Sequence, residues 1–352
     1  MTQRLNPNDL SLDAFRALIS APSACPPRAA NMDRGVPIYH SADLAPYLDV
    51  PDQRKLLLDE WADVLLRGAG VFAIAGALLD TAVLDRASKC LKNLIKGERE
   101  GARGGGDHFA AAGNNDRLWN SLEKHALADP ENFAAYYANP WIDAAAEAWL
   151  GPRYQMTAQV NLVHPGGQAQ RAHRDYHLGF MTQDQAAQFP AHVHELTAAL
   201  TLQGAMAHVD MPLKSGPTKV LPHSQKYPLG YLAFHEDDFA AVFEEHCVQI
   251  PLAKGDLLWF NPALFHAAGA NKTQDIERLV NLFQVSSAFG RPMEAVDRRA
   301  IVQAVEPYLP TAPLARQALI RVAAQGYSFP TNLDVNPPVH GLAPQTDQDR
   351  LL

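Results

Sequence analysis

Apolar and polar positions follow two different rhythms along this chain, and the switch between them divides it. From Asp52 onward, Leu56, Leu57, Trp61, Val64 and Leu65 recur at helical spacing. Gly68 and Gly70 end that helix, and Val71, Phe72, Ala73 and Ile74 predict a short buried strand. Asp80 then stands as the N-cap of a second helix, with Val83, Leu84, Ala87, Leu91, Leu94 and Ile95 on one face. Residues 97–106 are polar and glycine-rich and predict a loop. Helical segments are expected again over residues 116–150, closed by Gly151 and Pro152.

Beyond Pro152 the period becomes two. Over residues 154–163, Thr157, Gln159 and Asn161 share one face while Ala158, Val160 and Leu162 share the other. Further β-like runs fall at 196–209, 217–222, 247–252, 256–260 and 278–286, divided by Gly, Pro and Asn turns. Short strands so divided predict a sandwich or barrel. Helix returns at 302–305 and 314–324, and a Pro-rich tail begins at Phe329. Residues 1–50 mix Pro with short helical stretches. The expected layout is a β-rich α+β chain: an N-terminal extension (1–50), a core domain of helices and then a barrel (51–290), and a helical C-terminal extension with its tail (291–352).

Composition narrows the function. Of 352 residues, 47% are hydrophobic and 19% charged, which excludes a disordered or fibrous chain. There are 30 basic and 38 acidic residues, a net charge of -8, and no Lys/Arg-rich block. This balance argues against nucleic acid or an anionic membrane as partner and leaves a small molecule. Cys25, Cys90 and Cys247 are too scattered for a disulfide framework or a CxxC knuckle and read as reduced thiols. The most apolar run, residues 68–79, stops at Asp80, far short of the roughly 20 residues needed to span a bilayer. The N-terminus shows no apolar signal region, so a cytoplasmic location is expected.

Candidate chemistry sits in the β-like half. On extended backbone His173 and Asp175 project from the same side, so an imidazole and a carboxylate can take adjacent positions on one metal ion. His266 follows the run Gly255 to Phe260 and a turn at Asn261 and Pro262, and is the best candidate for a third ligand. Two His and one carboxylate leave positions open, the arrangement of non-heme Fe(II) oxygenases. Arg278 opens the next strand, where a guanidinium suits the far carboxylate of a dicarboxylate co-substrate. Other arrangements fare worse. His192 and His194 lack the carboxylate a cupin-like HxH needs a few residues later. No HExxH, Gly-x-Ser-x-Gly elbow, Walker loop or Rossmann fingerprint occurs.

With these motifs in order, residues 55–290 resemble the phytanoyl-CoA dioxygenase family. Residues 68–95 resemble the family's opening strand and helix, and Leu150-Gly151-Pro152-Arg153-Tyr154 the segment before its first barrel strands. His173-Arg174-Asp175 stands at its H-x-D, and residues 216–226, from Gly216 and Pro217 to Ser224 and Lys226, are similar to its G-P-x-x-V-x-P-G-S-H-K turn. His266, Gly269, Asn271, Thr273 and Arg278 resemble its closing motif. Ala268 replaces the usual Ser, Arg278 comes one residue later than the commonest spacing, and His223 and Gln225 replace the turn's Gly and His.

The resemblance implies a double-stranded β-helix (jelly-roll) core flanked by N-terminal and C-terminal helices. It implies Fe(II) on His173, Asp175 and His266, 2-oxoglutarate on Arg278 with Gln159 and Asn161 nearby, and O2 as the oxidant. The expected reaction is hydroxylation of an unactivated C–H bond with release of succinate and CO2; the presence of Asp175 argues against halogenation. Arg174, Tyr176, His177, Phe180 and Trp259 are candidates to face the substrate, and Lys226 either pairs with an anionic substrate or caps a turn. No basic patch for CoA phosphates is evident, so a small polar metabolite fits at least as well as an acyl-CoA. A metal-dependent isomerase or lyase on the same jelly-roll, or a non-catalytic binding module, remains as an alternative.

Overall fold

Alternation over residues 155–162 and the apolar-rich run 278–286 produce the two longest described strands, which pair with each other along their whole length. The structure is a computed structural model describing residues 4–101, 115–175, 179, 181–327, 334, 339–341 and 345–352. Its described strands are β1 (Asn31–Asp33), β2 (Val36–His40), β3 (Val71–Ala75), β4 (Asn115–Leu118), β5 (Gln155–Val163) and β6 (Thr201–Ala207). They continue with β7 (Lys219–Val220), β8 (Val248–Gln249), β9 (Leu257–Phe260), β10 (His266–Ala267) and β11 (Arg278–Ser286). Eight form one sheet in the order β1-β2-β3-β9-β6-β11-β5-β4, and three form a second, β10-β7-β8. Among the described strands only β2 and β3 pair in parallel.

Two cores follow from the alternation. On β9, Leu257 and Trp259 turn to one side of the large sheet and join Trp61, Phe72 and Phe283 against the helices. Leu258 and Phe260 turn to the other side and meet Val220 of the small sheet, with Val71 and Ala207 beside them. Trp259 stacks on Phe283 at 5.6 Å, and it lies close against β6 because Gly204 has no side chain; a Cβ there would collide with its ring.

Several helices start where the sequence places them. Asp80 caps the helix Thr81–Glu100 by accepting from the N–H groups of Ala82 and Val83 at 3.0 and 3.2 Å. The helix Pro51–Leu66 buries Leu57, Trp61, Val64 and Leu65, although Leu56 faces solvent. At the C-terminus, Arg298–Val305 and Pro313–Ala323 are helical. Arg321 on the latter bonds Asp143 at 3.0 Å and Glu147 at 2.8 Å, tying it to the helix Pro140–Leu150. Among the described residues no helix is long and apolar enough to cross a membrane.

The structure also departs from expectation. Among the described residues helix outnumbers strand, so the chain is mixed rather than β-rich. The N-terminal extension supplies β1 and β2 to the large sheet, with Val36 and Tyr39 fully buried. Pro37 and the brevity of that run hide it from a period-two reading. Residues 97–100 continue a helix rather than open a loop, while 102–106 lie outside the described residues, as does half of the tail. Residues 115–118 form β4 instead of helix, and residues 196–199 end the helix Ala191–Ala199 before β6 begins.

Two buried histidines make the fold acid-sensitive. His208 contacts Ser88 Oγ at 2.8 Å and the Tyr136 hydroxyl at 2.9 Å, and burial pushes it down to about 3. Burial likewise pushes His125 down to about 4. Both are neutral when folded, whereas the unfolded chain protonates them below its usual 6.5. Their contribution is therefore intact above pH 6.5 and is lost as the pH falls toward the folded values. Urea unfolding at pH 7 and pH 5 should differ by on the order of a few kcal/mol, and His208→Gln should flatten part of that slope. An unchanged slope in the variant would exclude His208 as a source.

Candidate metal centre

His173 sits on extended backbone that bonds directly to β10: His173 N–H donates to the His266 carbonyl and His266 N–H to the His173 carbonyl, both at 3.0 Å. Asp175 N–H continues the ladder to the Pro262 carbonyl at 3.0 Å. This isolated bridge brings together two residues far apart in sequence. Alternation places His173 and Asp175 on the cavity side, and the rings of His173 and His266 lie 4.5 Å apart. The Nε2 atom of His173 is 3.8 Å from Asp175 Oδ1, that of His266 is 3.9 Å from Oδ2, and one ligand atom from each residue lies within 4.8 Å of the others.

The donors are prepared for a cation. Each histidine directs Nδ1 at a backbone carbonyl, His173 at Arg171 (3.0 Å) and His266 at Leu264 (2.8 Å). Those carbonyls require the proton on Nδ1, so Nε2 of each ring turns its lone pair toward Asp175. Burial, and then the neighbouring His173, push His266 down to about 4, which keeps it neutral and able to ligate. Gln203 donates its amide to Asp175 Oδ2, while Oδ1 is buried with no hydrogen-bond partner. Two neutral imidazoles around a carboxylate with an unpartnered oxygen suit a divalent metal, with bonds of about 2 Å that draw the donors closer. No other group of three His, Cys, Asp or Glu among the described residues meets this geometry.

The centre opens on a cavity of ≈ 160 Å³ between the sheets. Its large-sheet wall comes from the register of β11: Val280 lies opposite Asn161, Leu282 opposite Gln159, and Gln284 opposite both Thr157 and Gln203. The same alternation points Arg278 inward at one end. Its Nη1 donates to the carbonyls of Ser215 (3.0 Å) and Gly269 (2.9 Å), and Arg278 is 4% exposed. Burial lowers it to about 10, so it remains a cation at neutral pH. Gly216, at φ +74°, packs so close to the Ala270 carbonyl that a side chain there would collide. This close approach holds the turn after Ser215 against the loop that carries Gly269.

The later position of Arg278 is accommodated by Asn271. Its amide donates to the carbonyls of Val163 (3.1 Å) and Ile276 (2.7 Å), and its oxygen accepts from the Thr273 hydroxyl at 2.6 Å, closing the loop before β11. Ala268 lines the cavity where a hydroxyl is expected, and its N–H donates to Gln170 Oε1 at 3.1 Å. His223 adopts the left-handed conformation (φ +71°) of the glycine it replaces, held by the Gly68 carbonyl at 3.0 Å.

Of the expected residues, His173, Asp175, His266, Arg278, Gln159 and Asn161 all line this cavity, and Asn161 Oδ1 is buried with no partner. Trp259 does not: it points to the helix side of the sheet, one step out of phase with Leu258 and Phe260. Arg174 points away as well, buried between the rings of Tyr231 and Phe265. Lys226 caps a turn, donating to the Arg67 carbonyl at 3.0 Å beyond the helix Pro51–Leu66. Tyr176, His177 and Phe180 lie outside the described residues. His192 and His194 both stand on the helix Ala191–Ala199, His192 exposed and His194 buried. Sequence reasoning missed Arg117, which donates to Gln159 Oε1 at 2.9 Å and lies over Trp119, and it missed Gln203. The alternating run before Ala207 is the signal that points to Gln203; Arg117, on a four-residue strand, has none.

An imidazole pair and one carboxylate at the end of a cavity between two sheets define the class of a facial metal site. The chain belongs to the phytanoyl-CoA dioxygenase family, whose model matches residues 67–279. It is similar to dioxygenase andF of Emericella variicolor, 26% identical over 144 residues covering 40% of this chain and 45% of that protein. It is also similar to dioxygenase trt7 of Aspergillus terreus, 24% identical over 165 residues covering 47% of each. The chain thus spans about half the length of the curated relatives it matches. Among solved structures it is similar to the non-heme alpha ketoglutarate dependent epimerase SnoN from nogalamycin biosynthesis (20% identity, TM-score 0.47, covering 68% of this chain and 86% of that one). It is similar too to the carbocyclase SnoK from the same biosynthesis (18% identity, TM-score 0.49, covering 69% and 89%).

Proposed function

We propose that this protein is an Fe(II)- and 2-oxoglutarate-dependent oxygenase that hydroxylates an unactivated C–H bond of a small molecule. The observation that carries this reading is the convergence of His173 Nε2, His266 Nε2 and Asp175 beside a cavity that also holds Arg278. Family membership and the dioxygenase names of the curated relatives support it. On this reading the two sheets are the faces of a double-stranded β-helix, and β1 and β2 extend the catalytic unit upstream of residue 51.

In that role the bound iron, with 2-oxoglutarate and O2, supplies oxidative decarboxylation to succinate and CO2 and the oxidising power for the C–H bond. The chain's own residues do the rest. Carbonyl partners lock both imidazoles in the ligating tautomer, and Gln203 fixes the carboxylate. Arg278, a buried cation at one end of the cavity whose Nη1 is held by two carbonyls, would hold the far carboxylate of 2-oxoglutarate. The amides of Asn161 and Gln203 keep oxygens without partners in or beside the cavity, positions suited to orient polar groups. Val280, Leu282 and Phe260 supply the apolar wall that excludes water.

Anaerobic addition of Fe(II) and 2-oxoglutarate to the protein should produce a weak visible charge-transfer band. Under air, a metabolite panel should yield substrate-dependent succinate. A flat spectrum from folded protein would refute the proposal.

A further inference from the structure

We propose that Arg174 is a positioning residue that holds the two ligand-bearing segments in register from behind the metal centre; the inference rests on the iron-binding reading above. Extended backbone sends its side chain opposite to those of His173 and Asp175. There the guanidinium lies over the rings of Tyr231 (5.2 Å) and Phe265 (5.1 Å), with the residue 2% exposed. It donates to the Ser224 carbonyl, and among the described residues no carboxylate pairs with it. Gly230 is what makes room: a Cβ at that position would collide with the guanidinium. A buried cation without an acid is costly to the fold, and its surroundings show what that cost supports.

Each contact of Arg174 leads to a neighbour of a ligand. Phe265 immediately precedes His266. Ser224 Oγ accepts from the Phe265 N–H at 2.8 Å and donates to the Leu221 carbonyl at 2.6 Å, while Leu221 N–H donates to the Phe265 carbonyl at 2.9 Å. Tyr231, on the other side of the guanidinium, donates its hydroxyl to the Asp175 carbonyl at 3.3 Å. The segment carrying His173 and Asp175 is thus joined to the segment carrying His266 from two sides. In front lies the reciprocal backbone bridge between the two histidines; behind lies the stack of Tyr231, Arg174 and Phe265 with Ser224. Two ties on opposite sides fix rotation as well as separation, which the spacing of three donors around one ion demands. A lysine keeps the charge but neither the planar stack nor the directed N–H, and a methionine keeps only the volume.

The test uses full-length, metal-free protein titrated anaerobically with Co(II), read by calorimetry and by the d–d absorption bands, with thermal unfolding of the metal-free form alongside. Arg174→Met should still unfold cooperatively, yet bind Co(II) about 10–100-fold more weakly with shifted d–d bands; Arg174→Lys should recover part of both. Wild-type affinity and bands in Arg174→Met would overturn the inference. If that variant does not fold, Tyr231→Phe and Ser224→Ala decide: a shifted Co(II) spectrum in either supports the tie, and two wild-type spectra overturn it. Asp175→Ala separates the premise from the inference, because equal Co(II) binding by wild type and Asp175→Ala would overturn the iron site itself.

Discussion

Asp175→Ala is expected to abolish the iron-dependent charge-transfer band and to reduce succinate formation more than about 100-fold, beyond the 10–100-fold typical of changes outside the ligand set. The reason is electrostatic as much as geometric. Among the described residues Asp175 is the only carboxylate that groups with both imidazoles, one of its oxygens has no hydrogen-bond partner, and His266 is held neutral by burial. Without it, two neutral nitrogens face a divalent ion with no counter-charge. The fold should persist, since the backbone bridge between His173 and His266 and the bond from Asp175 N–H to Pro262 do not use the carboxylate. Circular dichroism and a cooperative melt would confirm that loss of function is not loss of structure. A variant that kept the band would remove Asp175 from the ligand set.

Arg278→Ala should act on the co-substrate and spare the metal. A charged hydrogen-bonding group is worth about 1.5–3 kcal/mol, so the KM for 2-oxoglutarate should rise roughly 10–150-fold. Iron affinity measured without 2-oxoglutarate should stay near wild type, the reverse of the Asp175→Ala pattern. Some stability is lost as well, because the Ser215 and Gly269 carbonyls each lose a donor. Arg278→Lys keeps the charge without the planar fork and should fall between the two. An unchanged KM in Arg278→Ala would place the co-substrate elsewhere, with Arg117 the next cation lining the cavity.

How much of this was legible beforehand depends on the range of the interaction. β5 was readable because polar and apolar residues alternate from Gln155 to Leu162, and β11 because a β-like run rich in Leu, Val and Phe fills all nine of its positions. The cap at Asp80 and the helix after it were readable because capping acts over three residues. β1, β2 and β4 were not, since Pro37 interrupts β2 and the polar residues of β1 and β4 lack the apolar run that marks β3 and β9 at similar length, so their existence depends on the edges they pair with. The choice of face failed for Trp259 and Arg174 for a related reason. Alternation shows that a strand has two sides, but whether Leu258 or Trp259 meets the cavity is decided by which side the small sheet covers.

Local order along the chain therefore determined the donor types, the shared side of His173 and Asp175, the long strands, and the Gly216 turn beside Arg278. Only the tertiary structure decided that His173 bridges His266, that Gln203 grips Asp175, that Arg117 reaches Gln159, and that Arg174 turns its charge into an aromatic slot. Periodicity and capping are written in neighbouring residues, whereas strand pairing across dozens of residues is settled by burial and hydrogen-bond satisfaction over the whole molecule.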